Sequence, residues 1–452
     1  MCSFIKMSNV NLEITPSNVL SNGRVSFHSG NPVISFIVGE QERSLIGSSI
    51  RLSGSFRAFL KTGTDTATDR AVTSADTLSM ASRLGVYGAI DQLVIKSQRT
   101  HQVIEHVKHY GRFCSSFLPT TNSLQDGMSH MAESSLIMPN YNLQKKSVLD
   151  IESQYLDGNS FCIPLPCGLF NGVSNIPLSG QWGLQGLLVE IHLSPDANVL
   201  FSSTGEDADT TAINEAFYEF KDLRLIAEAV NPTPQQIKEM PSTFEYNTIS
   251  SYFTSINSTQ SVINFNLGLS RVLGVFCNFI ESNKINNREF DGMATQSLTN
   301  KDATGSSPAM ISQLVFTRAG IRFPLEYNID YLGTDGLTYN EVDSQVYRNF
   351  LDAIKPFSKN DRNFTSPQNT FERSNEKSSV IGRDVYNING GSVFGVGINY
   401  DGISNAGVDF SNVQWGMNMT TNLDTNNPHA VYVFVHAKST LVFNSSGLQV
   451  MS

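Results

Sequence analysis

Both tryptophans of this chain sit in the same tripeptide: Gln181-Trp182-Gly183 returns as Gln414-Trp415-Gly416. Positions 182 and 415 are 233 apart in a chain of 452 residues. A repeat spaced at about half the chain length restricts the architecture more than any local motif. It asks for two copies of one unit, whereas solenoid repeats recur every ~20–50 residues. Further pairs recur in the same order. Gln92-Leu93-Val94-Ile95 is echoed by Gln313-Leu314-Val315-Phe316, and a helix pattern at Thr100 to Phe113 by one at Glu341 to Ile354. Each half closes on an apolar, alternating strand, Phe217 to Val230 and Ala430 to Phe443. These markers predict a duplicated domain; the competing explanation is two unrelated β domains that share a frequent tripeptide.

Alternation at period two is the pattern of a half-buried strand, and it recurs along the chain. Ile50 to Arg57, Leu187 to Leu193 and Val262 to Leu269 alternate apolar with polar residues, and Pro32 to Val38, Ala89 to Lys96, Val272 to Ile280, Ile311 to Phe316, Ile321 to Tyr327, Ser392 to Tyr400 and Val413 to Thr420 read as further strands. Phe161 to Phe170 contains Pro164 and Pro166 and is expected to be an edge strand or extended segment. Helix spacing is confined to two places. Ile104, Val107, Tyr110 and Cys114 recur three or four apart in Thr100 to Phe117, after a plausible Thr100 cap, and the second place is Glu341 to Ile354. Polar stretches at 61–83, 198–213, 285–308 and 355–380 read as long loops. Three prolines, at 232, 234 and 241, break both ladders and helices and mark a linker. The expected organisation is a first domain over 1–230, a proline-rich linker over 231–241 and a second domain over 242–452. Seven or eight strands per half with few helices make this an all-β chain of two sandwiches.

Composition narrows the function. A net charge of −10, with only Lys6 and Arg24 as bases in the first 40 residues, argues against nucleic-acid binding as the main task. Charged residues make up 16% of the chain against roughly 25% in average soluble proteins, as expected of a β protein whose surface is largely covered by neighbours. Cys2, Cys114, Cys162, Cys167 and Cys277 are odd in number and scattered, so free thiols are expected. No signal-like opening and no apolar run near ~20 residues is present, which predicts a soluble chain folded in the cytosol, with its Asn-x-Ser/Thr sequons unmodified.

No residue set stands out for catalysis. His101, His106 and His109 are close in sequence, and the last two are one helical turn apart, but Glu105 is the sole neighbouring acid and a zinc site wants three or four ligands. Cys162 and Cys167 match neither a redox pair nor a zinc knuckle and read as buried strand thiols. Asp330 to Glu341 fails as a calcium loop because Leu332 takes a ligand position and Gly336 comes one place late. Gly390-Gly391 and Gly395-Val396-Gly397 are not followed by a helix and read as strand glycines with bulges. The tryptophans are expected to fill equivalent core or sheet-end positions and not to serve as ligand platforms. The expectation is a non-enzymatic chain with no cofactor and no metal.

Tandem β-sandwiches, a helix in each after a mid-domain strand, long loops and no catalytic set together resemble the double jelly-roll major capsid proteins of adenovirus-like tailless double-stranded DNA viruses, including virophages and polinton-like viruses. Asn31 to Leu60, Ile90 to Phe117, Phe217 to Pro234 and Ala430 to Val450 carry the resemblance, which rests on architecture because the family has no short motif. It implies two tandem eight-stranded jelly rolls and a homotrimer whose six sandwiches form a pseudo-hexagonal capsomer of an icosahedral shell. It also implies a virion location, vertex (penton) and minor capsid proteins as partners, and no sequence-specific grip on the genome. Two other classes fit an all-β chain. A tandem carbohydrate-binding or adhesin module predicts a monomer with Trp182 or Trp415 exposed, and a polysaccharide hydrolase needs two carboxylates about 5–10 Å apart.

Overall fold

The computed structural model describes residues 9–19, 23–27, 32–61, 69–71, 78–81, 84–121, 159–172, 175–181, 183–202, 215–233, 235, 243–289, 291–293, 295, 311–324, 339–354, 394–401, 406–421, 423, 425–426, 428–444 and 447–452. Eight principal strands form the first half: β1 (Asn9–Ile14), β2 (Val33–Val38), β3 (Arg51–Lys61), β4 (Ile90–Ser97), β5 (Val103–Lys108), β6 (Asn159–Pro164), β7 (Leu187–Leu193) and β8 (Phe217–Val230). Eight more form the second: β9 (Thr243–Ile256), β10 (Gln260–Phe265), β11 (Val272–Glu281), β12 (Ile311–Arg318), β13 (Ile321–Arg322), β14 (Gly395–Asn399), β15 (Trp415–Thr421) and β16 (His429–Asn444). A last strand, β17 (Gly447–Met451), folds back on the end of β16.

The first sandwich pairs a sheet ordered β6-β3-β8-β1 with one ordered β2-β7-β4-β5. The second pairs β14-β11-β16-β9 with β10-β15-β12-β13. Adding eight to each strand number converts one half into the other, so the two sandwiches share one topology. Every one of these ladders is antiparallel. Such ladders bury one face and wet the other. In β8, Leu223, Leu225, Ala227 and Ala229 are buried, while Arg224 faces out and pairs with Glu13 of β1 at 2.9 Å. The recurring Gln-Leu-Val sequences fall on β4 and β12, which hold the same place in their halves.

Two helices follow the equivalent strands β5 and β13: α1 (Tyr110–Thr121) and a longer one at Tyr339–Ile354. A one-turn helix at Gly168–Gly172 lies between them in sequence; in chain order these are α1, α2 (Gly168–Gly172) and α3 (Tyr339–Ile354). The bed of α3 is made by glycines. A side chain at Gly395 would run into the Phe350 ring and the Cys277 carbonyl, and one at Gly397 into Ala353. Helix docking, not bulging, therefore accounts for these strand glycines; Gly390 and Gly391 lie outside the described residues.

Three expectations need correcting. The helix expected from Thr100 is strand β5 up to Lys108 and becomes helical only at Tyr110. Both faces of β5 are covered, with Ile104, Glu105 and Val107 all buried, so its apolar spacing no longer alternates. The stretch 61–83 contains two short strands, Asp69–Ala71 on β3 and Leu78–Met80 on Leu200–Ser202, so parts of it and of 198–213 belong to sheets. The expected loop at 355–380 lies outside the described residues. Phe161–Phe170 divides into the edge strand β6 and α2. Among the described residues no helix is long and apolar enough to cross a membrane.

Candidate functional site

Strand edges leave backbone groups unpaired, and a β protein must cover them. Two edges, β5 of the first sandwich and β9 of the second, lie against each other and make the seam that joins the halves. Glu105, on β5, is the polar centre of this seam and is 2% exposed. Its Oε1 accepts the N–H of Ile249 on β9 at 2.8 Å and that of Gly168 at 2.9 Å, and its Oε2 accepts the N–H of Leu169 at 2.8 Å. One carboxylate thus satisfies the first turn of α2 and an edge donor of the other sandwich. Burial pushes the Glu105 carboxyl up to about 7, against the three N–H donors, which pull it down.

The seam allows close approach because Gly168 has no side chain: a Cβ there would collide with the Asn247 carbonyl and the Thr248 backbone of β9. Beside it, the Tyr246 hydroxyl donates to the Ile104 carbonyl at 2.7 Å. Further along, α1 of the first half packs into the second. Phe113 is edge-on to Phe434 at 5.7 Å and lies 6.2 Å from Phe276, and Asn278 of β11 donates to the Arg112 carbonyl at 2.9 Å and to Ser116 Oγ at 3.0 Å. A hydrogen-bonded strand edge and a shared aromatic core therefore hold the two sandwiches as one block.

The candidate ligands of the sequence do not converge. His106 is on β5 with Nε2 2.9 Å from Gln92 Oε1; His109 is in the turn after it at φ 54°, and His101 is exposed in an earlier turn, also at φ 54°. Strand and turn geometry removes the one-turn spacing that placed two imidazoles together. Burial lowers the pKa of both His106 and His109. No group of three or more His, Cys, Asp or Glu suited to a metal occurs among the described residues. Cys162 is half-buried on β6, and Cys167 lies beyond the strand, buried beside Glu105; both are free thiols. Burial raises the pKa of Cys114, Cys167 and Cys277, which keeps them protonated and unreactive. Residues 330–338 of the Asp330 to Glu341 stretch lie outside the described residues, and the remainder begins α3.

Both tripeptides lie next to equivalent strands. Trp415 opens β15 between Gln414 and Gly416, whereas Gln181 and Gly183 lie in the turn ahead of β7, the equivalent strand, and Trp182 is outside the described residues. Trp415 is fully buried; its Nε1 donates to the Tyr400 hydroxyl at 3.1 Å, and its ring stacks with Phe265 at 6.3 Å. Sequence reasoning named these residues and passed over Glu105 except as a weak metal partner. The available signal was a lone acid among Val103, Ile104 and Val107.

No protein-family model matches the sequence, and no curated protein matches it. Solved structures do match, over nearly the whole chain. The Faustovirus major capsid protein aligns with 97% of this chain and 91% of its own, at 9% identity and a TM-score of 0.59. The PBCV-1 virus capsid aligns over 98% and 96% at 10% identity and a TM-score of 0.54. The Sputnik virophage structure aligns over 98% and 88% at 12% identity and a TM-score of 0.50. At these identities the likeness concerns the fold alone, and with the strand order of both halves it makes this chain a double jelly roll of the kind those viral capsid structures contain.

Proposed function

We propose that this chain is a major capsid protein that trimerises into pseudo-hexagonal capsomers of an icosahedral virus shell. The observation that carries the reading is the pair of sandwiches of identical strand order locked by the Glu105 seam. A rigid block with two near-equivalent halves turns threefold symmetry into six near-equivalent units, which is what a hexagonal tile needs. The division into jelly rolls at 1–230 and 242–452 around a linker at 231–241 belongs to this reading. Its support is that β8 ends at Val230 and β9 begins at Thr243.

On this reading the protein is made in the host cytoplasm and resides in the virion. A pseudo-hexagonal unit does not fill fivefold vertices, so a penton protein and minor capsid proteins are the expected partners. The weakly charged surface and the net charge of −10 favour contacts between copies over direct contact with a genome. A carbohydrate-binding or adhesin module is the second reading, but burial of Trp415 removes one of its two stacking platforms. Light scattering after size exclusion at neutral pH tests the proposal on the purified chain. A mass near three times 49.7 kDa is expected. A mass that stays monomeric at every concentration would overturn it and move the question to a glycan array.

A further inference from the structure

Among the described residues four side chains of formal charge are buried: Glu105, Arg112, Asp196 and Lys284. Three have partners inside the molecule. Glu105 accepts three N–H groups, Asp196 accepts the Tyr218 N–H at 3.2 Å, and Lys284 pairs with Glu281 at 3.1 Å. Arg112 is the exception. It is 5% exposed, its Nη1 has no acceptor, and it makes no ion pair among the described residues. The Asp91 carboxylate, whose charge reaches His109, instead accepts from Gln92 Nε2 at 3.2 Å.

The position of Arg112 is built, not accidental. Its carbonyl is held by Asn278 Nδ2 at 2.9 Å and by Ser115 Oγ at 2.7 Å, and its guanidinium lies 5.2 Å from the centroid of the Tyr432 ring. The same ring is met edge-on by His109 at 4.9 Å, and Phe253 lies tilted against it at 5.2 Å. Phe253 is 51% exposed and is the one aromatic among the exposed large hydrophobic residues described. A desolvated cation without a counter-charge is unfavourable, and the ring contact offsets only part of that. Arg and Tyr beside one exposed Phe ring are also the residue types enriched where protein interfaces bind most tightly.

We propose that this cluster is a contact point between subunits, at which a carboxylate of a second copy of the chain pairs with the Arg112 guanidinium while the same copy covers Phe253. The inference rests on the capsomer reading. A second copy is the occupant because each chain has 41 acids against 31 bases and so presents surplus carboxylates. It can also bury an aromatic ring, which a small free anion cannot.

Sedimentation equilibrium on the full-length wild type, Arg112→Gln, Arg112→Lys and Phe253→Ser, at low and high salt, tests it. Arg112→Gln should weaken subunit association about thirty-fold or more, Arg112→Lys by less, and Phe253→Ser should weaken it independently. The dissociated Arg112→Gln monomer should melt no lower than the wild-type monomer, because relief of an uncompensated buried charge offsets the lost contact with the Tyr432 ring. Arg112→Gln associating as tightly as wild type, or its monomer melting well below wild type, would overturn the inference and leave the capsomer reading standing. A wild type that never associates would overturn both. If Arg112→Gln does not fold, Phe253→Ser decides, since that side chain is on the surface: unchanged association refutes the contact and weakened association supports it.

Discussion

Glu105→Ala will destabilise the folded chain by several kcal/mol and loosen the two sandwiches from each other. Alanine leaves the N–H groups of Gly168, Leu169 and Ile249 buried without an acceptor, and each such orphan costs about 1–3 kcal/mol. Glu105→Gln keeps one carbonyl but turns an amide against a donor, so it should fall between wild type and alanine. Urea unfolding is the measurement: a lower midpoint is expected, with separate transitions for the halves if the seam alone couples them. An unchanged midpoint would show that the seam does not depend on this carboxylate.

The same residue sets a pH dependence whose sign follows from its environment. Burial raises the Glu105 carboxyl from 4.5 to about 7 in the folded protein, so between these values the folded chain holds a proton that the unfolded chain has lost. Stability from this group is therefore full below about pH 4.5, falls as pH rises towards 7, and is level above it, a change of up to about 3 kcal/mol. Buried histidines act in the opposite sense. His436 is pushed down to about 3 by burial, and His106 and His109 are lowered by it, so they resist protonation and favour folding as pH rises. Unfolding free energies from pH 5 to 8 should accordingly be compared between wild type and Glu105→Gln, whose difference isolates Glu105. Parallel profiles would sink the assignment.

What could be read from the residues follows from how each strand is buried. β3, β7 and β10 each have one face less buried than the other, so Ile50 to Arg57, Leu187 to Leu193 and Val262 to Leu269 alternate visibly. The duplicated architecture was legible for the same reason, through the Gln-Leu-Val sequences of β4 and β12 and the closing strands β8 and β16. β5 does not alternate because Ile104, Glu105 and Val107, which are not on one face, are all buried, and this leaves a spacing that imitates a helix. Glu105 was unreadable as a structural centre because its donors are 63, 64 and 144 residues away. Arg112 was equally hidden, since what marks it is a missing partner. The small strands inside 61–83 and 198–213 have too few residues to show a period.

Trp415→Ala should cost about 3–5 kcal/mol of stability, in contrast to what a surface platform would show. The ring is fully buried at the start of β15, with Phe265 of β10 as its ladder partner on one side and Arg318 of β12 on the other. It packs against Phe265 at 6.3 Å and Phe316 at 6.1 Å, so truncation opens a cavity in the middle of a four-stranded sheet. It also removes the Nε1 donor to the Tyr400 hydroxyl. Trp415→Phe keeps most of the volume and loses only that bond, so its loss should be about 1–2 kcal/mol. Urea midpoints of the three proteins give the ranking. A tryptophan that served a glycan would rank differently: Trp415→Ala would keep the wild-type midpoint and abolish sugar binding. Because β15 sits between β10 and β12, the alanine variant should also lose assembly at temperatures where the phenylalanine variant retains it, which ties the order of this sheet to the capsomer it is proposed to build.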